Sequence, residues 1–156
     1  MAIGADSLID FFGTQDSVDD GGTSAITDGS FSVAADVATW TNDDDAPNAV
    51  FVLRCQWGTA PTDGSVINLY GRKLNVQSTN DSPIPSANNL DQYIGTFTVD
   101  GDVATATDAY HVTNWLVLPN HVTSQQYDFY LENQSGQTIS AGWAMWITPA
   151  TKGPHP

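Results

Sequence analysis

With 156 residues, the chain fits one domain that is long enough to bury a core without a disulfide or a metal. Its 18 Asp and Glu residues against 4 Lys and Arg give a net charge of −14, which argues against direct binding to nucleic-acid phosphates. Nearly all the acidic residues are Asp, which favours turns over helices, and no segment approaches the roughly 18 apolar residues of a membrane span.

Residues 1 to 29 differ in composition from the rest of the chain. The opening MAIGADSLIDFF lacks the basic region and the continuous apolar region of a secretory signal. The stretch GTQDSVDDGGTSAITDGS is rich in Gly, Asp, Ser and Thr and has no apolar period. We predict an extended N-terminal arm, which is either a free terminus or a segment that buries Phe11 and Phe12 on a neighbouring subunit.

From residue 30 onward the pattern is typical of strands, because apolar and polar side chains alternate between turn residues. No window repeats with the helical i, i+3, i+4, i+7 spacing. The predicted strands are 30–41, 49–57, 65–76, 92–100, 110–118, 126–133 and 141–149. They predict an all-β domain over residues 30–149, followed by a C-terminal tail, 150–156. The expected architecture is an antiparallel β-sandwich, jelly-roll-like or immunoglobulin-like, and we adopt the jelly-roll-like version with the strand order open.

One predicted connection, residues 75–92, is unusually long. It is polar, and Pro83 and Pro85 stiffen it. Loops of this length are often functional. The segment is therefore either a surface crossover between the sheets or a contact loop.

The end of the chain is apolar on both sides of its last predicted strand. Residues 133–137 predict a hairpin turn, in which Gly136 has a positive φ and the flanking strands pair with each other. Alternation then places Trp143 on one face of the last strand and Trp146 on the other. One face supplies the core, and the other is covered by the N-terminal arm, by a second layer of core, or by another subunit.

These aromatic side chains give the predicted contact surface. Trp and Tyr are enriched at the cores of protein interfaces. The residues predicted to form an interface are Phe11, Phe12, Tyr130, Trp143 and Trp146.

The sequence shows no arrangement of residues that predicts catalysis. Its three His residues lack metal-ligand spacing, and the single cysteine, Cys55, lies in an apolar run where burial is expected. The acidic runs 42–48 and 100–102 offer oxygen ligands for calcium but lack EF-hand spacing. No phosphate loop or serine-hydrolase motif is present in the sequence. We predict a protein that is not an enzyme and has no cofactor or metal.

Five tryptophans on a β scaffold suggest one rival function. A carbohydrate-binding or receptor-binding sandwich would use two or three of them on an exposed face. The tryptophans are Trp40, Trp57, Trp115, Trp143 and Trp146.

Several stretches between residues 49 and 149 resemble a family of small proteins encoded among the virion genes of tailed bacteriophages and prophages. They are FVLRCQWGTAPTDGSVINLYGRKLNVQSTNDSPIPSAN, YIGTFTVD, LVLPN and YDFYLENQSGQTISAGWAMWITP. The resemblance implies a non-enzymatic structural protein, with head decoration or cement as the preferred version and a carbohydrate-binding or receptor-binding module of a phage tail structure as the alternative. Its expected partners are the major capsid protein and further copies of itself, with a trimer favoured and without nucleic acid or membrane. Its expected location is the outer capsid surface, after synthesis in the host cytoplasm.

Overall fold

The structure, a computed structural model, describes residues 8–154. Within them the chain forms a sandwich of two antiparallel sheets, with one 3₁₀ turn at Ala34–Asp36. The predicted all-β, antiparallel sandwich class is confirmed. The strands are β1 Leu8–Phe12, β2 Asp16–Asp20, β3 Thr39–Thr41, β4 Asn48–Cys55, β5 Val66–Lys73, β6 Tyr93–Thr98, β7 Ala109–Val112, β8 Leu116–Val117, β9 Gln126–Gln134 and β10 Ala144–Pro154.

The strand order mixes the two ends of the chain. The six-stranded sheet has the order β1-β10-β4-β7, with β2 continuing the β1 edge along β10 and β8 continuing the β7 edge along β4. The four-stranded sheet has the order β3-β9-β5-β6. The last strand, β10, therefore lies between the first strands of the chain and β4.

The core lies between the sheets and follows from period-2 alternation. Along β4, Phe51, Leu53 and Cys55 are at most 1 % exposed, whereas the residues between them are partly exposed. The ring of Phe51 meets Phe129 of β9 edge-on, with centroids 4.9 Å apart, so the contact joins the two sheets. Edge-to-face aromatic pairs stabilise a core beyond the area that they bury.

The described part of the predicted N-terminal arm forms strands of the sandwich. Residues 8–12 and 16–20 form β1 and β2, which hydrogen-bond to β10 of the same chain. Val18 and Ile26 are each 1 % exposed and belong to the core. The physical reason is that β10 would otherwise leave a row of backbone N–H and C=O groups unpaired along its edge. The first seven residues of the predicted arm lie outside the described residues.

Gly22 brings the segment after β2 into close contact with Trp143. Gly22 N–H donates to the Trp143 carbonyl at 2.8 Å, and Gly142 N–H donates to the Gly22 carbonyl at 2.7 Å. The Trp143 Nε1–H donates to the Ser24 carbonyl at 3.0 Å. A β-carbon at Gly22 would lie 2.2 Å from the indole, so this approach requires glycine.

Other boundaries also differ from prediction. The segment 30–41 is not one strand, because it contains the 3₁₀ turn and only β3 at its end. The segment 110–118 is divided into β7 and β8, with Thr113 bonded through N–H and Oγ1 to the backbone of Phe51 at 3.0 Å each. The predicted C-terminal tail is strand as far as Pro154, and the last two residues lie outside the described part.

The predicted hairpin at residues 133–137 is also wrong. Gly136 has the expected positive φ of 78°, but β9 and β10 belong to different sheets and do not pair. The chain crosses from one sheet to the other after β9. Ile139 anchors the crossing through bridges to Ile26 and Trp57 and is fully buried.

Candidate functional site: an apolar outer sheet face

The outer side of the six-stranded sheet carries a row of apolar side chains. Directly paired residues of neighbouring strands point to the same side of a sheet. Val52 of β4 pairs with Val112 of β7 on one side and with Trp146 of β10 on the other. Two residues along, Arg54 pairs with Tyr110. The side chains that alternate with them on β4 form the core, so this row faces outward.

A second row crosses the same side near the other end of β4. Val117 of β8 pairs with Asn48 of β4. Asn48 pairs with Ala150 of β10, which in turn pairs with Phe12 of β1. The Phe12 ring meets Trp115 edge-on, with centroids 5.6 Å apart. The N-terminal strand therefore contributes an aromatic side chain to this outer face.

The two rows lie on one side of the sheet, where apolar side chains are interspersed with Arg54, Asn48 and Thr148. Tyr110 is 62 % exposed, Val112 60 %, Val117 65 % and Phe12 59 %. The residues toward the centre are partly exposed. We call the set the apolar face, and it consists of Phe12, Val50, Val52, Tyr110, Val112, Trp115, Val117 and Trp146.

Two of the four basic residues of the chain lie on the same side and contact its tryptophans. The Arg54 guanidinium lies 5.8 Å from the Trp146 ring centroid and donates to the Gly142 carbonyl at 3.1 Å. The Lys152 ammonium lies 5.5 Å from the Trp115 ring and 3.8 Å from an Asp10 carboxylate oxygen. Cation–π contacts of this kind fix the orientation of both partners.

The outer side of the four-stranded sheet is polar by comparison. Glu132 of β9 accepts hydrogen bonds from Asn68 at 2.9 Å, Tyr70 at 2.7 Å and Gln134 at 2.9 Å. Burial by itself would raise the pKa of Glu132, but these three bonds lower it below its ordinary value. The polar groups on this side are bonded to one another.

The predicted interface residues are divided by the structure. Phe12 and Trp146 lie on the apolar face, whereas Phe11 is 41 % exposed and points to the opposite side of β1. Tyr130 and Trp143 are each 1 % exposed, buried within their own chain. Side chains in such positions do not reach a partner, so neither Tyr130 nor Trp143 is available as a contact residue.

The tryptophans do not form the exposed platform that the rival sugar-binding prediction requires. Trp40 is 7 % exposed, Trp57 is fully buried, and Trp143 is in the core. Trp115 and Trp146 are only partly exposed, and each is covered by a cation. Sugar recognition through two or three stacked indoles is therefore not favoured by their placement.

Three exposed residues of the apolar face were not singled out from the sequence. Tyr110 and Val112 alternate with Ala109 and His111 in β7, and this alternation carries a usable signal. The signal was obscured because the chain leaves the β4 ladder between β7 and β8. In an unbroken strand, Val117 would lie on the opposite side of the sheet from Tyr110 and Val112. Because of the interruption, it lies on the same side.

The buried nucleophile and the histidine of the core are structural in this arrangement. Cys55 is 1 % exposed, and burial, followed by the charge of Asp108, raises the pKa of its thiol to about 12. Burial lowers the pKa of His111, whose ring meets Trp57 edge-on at 5.4 Å. Within residues 8–154, no group of three or more His, Cys, Asp or Glu side chains is placed to hold a metal ion.

Comparison with models of protein families finds no match to this chain. Comparison with curated proteins finds no match either. In the part of the chain from residue 8 to residue 154, no helix is long and apolar enough to cross a membrane.

Proposed function

We propose that this chain is a non-enzymatic capsid decoration, or cement, protein of a tailed-phage virion. It docks on the outer capsid surface through the apolar face and bridges neighbouring capsid subunits. The observation that carries the proposal is the exposure of Phe12, Tyr110, Val112 and Val117, between 59 and 65 % each, on one continuous side of the sandwich. The sequence resemblance to virion proteins supplies the class of partner.

The strand order supports a jelly-roll topology. If β1 with β2, and β7 with β8, are each counted as one interrupted strand, the domain has eight strands. Their order is then first, eighth, third, sixth in one sheet and second, seventh, fourth, fifth in the other. Double Greek-key jelly rolls of this kind occur in viral capsid proteins and in lectins. The topology is consistent with a virion protein without specifying its task.

A protein partner explains why the apolar face is tolerated. Antiparallel sheets with one solvated side normally place polar residues there. Large exposed apolar patches on soluble proteins mark interaction sites. Here Val112 and Val117 also lie on strands at the edge of the sheet, where unpaired backbone groups add to the risk of unwanted association. Docking would cover both the side chains and the edge.

The charge distribution identifies the kind of surface that fits. The chain has a net charge of −14, and its two cations on this side, Arg54 and Lys152, are bound to tryptophan rings. Two copies packed through this face would bring like charges together, which opposes self-association. A capsid surface with an apolar centre and a basic rim complements it. A homo-oligomer, such as the trimer that the resemblance favours, would use another surface.

Cementing then follows from mass action. A protein that binds only the assembled shell stabilises that shell by the free energy of binding. Each bound copy contacts more than one capsid subunit, so separation of the subunits requires release of the copy. No covalent bond is made or broken in this role.

The test uses heads from a phage strain that lacks the gene for this chain. Purified chain is added, and the heads are sedimented and heated. We expect saturable co-sedimentation and a higher temperature of head disruption. The double variant Val112→Asn with Val117→Asn should bind at least about tenfold more weakly, a loss that corresponds to roughly 1.4 kcal/mol.

Val33→Asn is the matched control, because Val33 is 46 % exposed but lies beside the 3₁₀ turn, away from the apolar face. It should bind as the unchanged chain does. The proposal is wrong if the chain does not co-sediment with the heads, or if the control loses as much binding as the double variant.

A further inference from the structure

A separate cavity lies on the four-stranded sheet, where the long connection of residues 75–92 reaches β6. Its volume is about 240 Å³, and its lining includes Lys73, Asn89, Asp91, Gln92, Tyr93 and Ile94. We propose that this cavity binds one ring of a neutral sugar. The inference does not depend on docking through the apolar face, which belongs to the other sheet.

The walls of the cavity are held in place by backbone hydrogen bonds. Ser82 N–H donates to the Lys73 carbonyl at 2.9 Å, which ties the connection to the end of β5. Ser86 and Asn89 exchange backbone bonds at 3.1 and 2.8 Å, and Gly71 N–H donates to the Gln92 carbonyl at 2.8 Å. Small-ligand sites are usually formed in advance in this way. The long loop that the sequence indicated is thus an ordered wall.

The Gln92 side chain in the lining is fixed to the long connection. The side chain is 9 % exposed, and its Nε2 donates to the Pro83 carbonyl at 2.6 Å. Its Oε1 is buried and has no hydrogen-bond partner among the described residues. A buried acceptor without a donor is unfavourable and uncommon in native proteins. Because this oxygen is closed off from the cavity as well as from solvent, Gln92 serves as a fixed part of the wall.

The remaining lining provides both an aromatic surface and polar groups of either sign. Tyr93 is 51 % exposed and packs edge-on against Tyr70 at 5.8 Å, so its ring is held at the margin of the cavity. Lys73 and Asp91 take part in no ion pair within residues 8–154. An ammonium and a carboxylate on the same cavity give no net preference for an anion or a cation.

A sugar ring fits this combination of groups. Its hydroxyls both donate and accept, so they can be bonded by Asp91 and Lys73 at once. Its C–H face is apolar and packs on an aromatic ring such as that of Tyr93. The cavity is smaller than the roughly 300–1,000 Å³ of drug-sized sites, which favours a single ring over a long chain.

The test is a titration of the isotope-labelled chain, followed by NMR, with the methyl pyranosides of glucose, galactose, mannose and N-acetylglucosamine. We expect at least one of them to cause saturable shifts of the Gln92 side-chain amide and the Gly71 backbone amide. Titration to about 50 mM covers the millimolar affinities that are expected for one small ring. Oligosaccharides of the same sugar are titrated as well. A site for a single ring binds the monosaccharide and the oligosaccharide equally well, whereas a site for an internal unit of a glycan binds the oligosaccharide more tightly.

Variants at exposed positions keep the fold intact and decide the outcome. Tyr93→Ala and Asp91→Asn should each weaken binding by about tenfold or more. Tyr110→Ala, which removes another exposed tyrosine, from the apolar face, should leave sugar binding unchanged. Shifts by no sugar of the panel, or equal binding by Tyr93→Ala and the unchanged chain, overturn the proposal. A loss of capsid docking in Tyr110→Ala with sugar binding retained would separate the two sites.

Discussion

Gly22 and Trp143 are packed so closely that a β-carbon on Gly22 would lie 2.2 Å from the indole Cε2. Both belong to segments that bond backbone to backbone, so neither can move away without losing the pairing that holds the N-terminal strands. The close approach joins the beginning of the chain to its last strand. It is therefore a sensitive point for the stability of the six-stranded sheet.

Gly22→Ala should lower the free energy of unfolding by about 1–3 kcal/mol, the usual cost of overpacking a buried site. Urea unfolding followed by tryptophan fluorescence measures the change. Gly58→Ala is the control, because a β-carbon there meets nothing within 4 Å and φ is not positive. Equal stability of the Gly22 variant and the unchanged chain would contradict the packing argument.

Because of Asp19, we expect the stability of the folded protein to fall as the pH rises from acid toward neutral. Burial, followed by the negative charges of Asp36 and Asp20, raises its pKa from 3.8 to about 7. The folded state then holds this proton more tightly than the unfolded state does. The resulting stability is fully present below about pH 4 and is lost as the pH rises toward 7.

Asp19→Asn should therefore stabilise the protein at pH 8, by on the order of 2 kcal/mol, and have little effect at pH 4. The exposed Asp43→Asn is the control and should show no such dependence. Denaturant unfolding at the two pH values measures both variants. The same change of stability at pH 4 and pH 8 would show that Asp19 does not carry a raised pKa.

Because of Glu132, we expect a contribution to stability that is lost as the pH falls. Its pKa is lowered, because the bonds from Asn68, Tyr70 and Gln134 outweigh the effect of burial. The stability that it contributes is present above its unfolded pKa and is lost as the pH falls through the folded value. Glu132→Gln should cost roughly 1.5–3 kcal/mol at pH 7, where hydrogen bonds to a charged group are lost, and less in acid. Asp102→Asn, at an exposed turn, serves as the control.

Cys55 should be inert in the folded protein. Its thiol is buried and its pKa is raised to about 12, so almost no thiolate forms at pH 8. Iodoacetamide should modify it only after unfolding in denaturant, as mass spectrometry would show. Rapid modification in buffer alone would mean that β4 opens locally, contrary to its place in the core.

Capsid docking should weaken as salt is added. Exposed charges are screened beyond about 10 Å at 0.1 M salt and about 3 Å at 1 M. The rate of association with gene-deleted heads should therefore fall between these concentrations, while apolar contacts keep dissociation slow. Surface plasmon resonance with immobilised heads measures both rates. Association that is unaffected by salt would argue against a basic rim on the partner.

The sandwich class was predictable because alternation along strands such as β4 and β9 is local. Phe51 and Leu53 on β4 point inward at the spacing that the sequence shows. The N-terminal strands were not predictable in this way. β2 reads DSVDD, and its single apolar residue, Val18, gives no period. Its strand conformation depends on hydrogen bonds to β10, which is distant in sequence.

The candidate site was predictable only in part for the same reason. The sequence predicts Phe12 and Trp146 as contact residues because both are aromatic, and both lie on the apolar face. Trp143 is also aromatic, but it is buried because the N-terminal segment packs against it at Gly22. The exposure of Val112 and Val117 depends on their position at the sheet edge, which strand order decides and a single sequence does not reveal.

The central position of β10 has a consequence for how the protein is made. Because β10 pairs with β1, β2 and β4, the six-stranded sheet cannot close on the ribosome until residues 144–154 have been synthesised. Pairings between distant parts of a chain also make folding slow. Nascent chains truncated before residue 144 would expose the edge of β4 and the inner side of the opposite sheet, and would depend on chaperones to avoid aggregation.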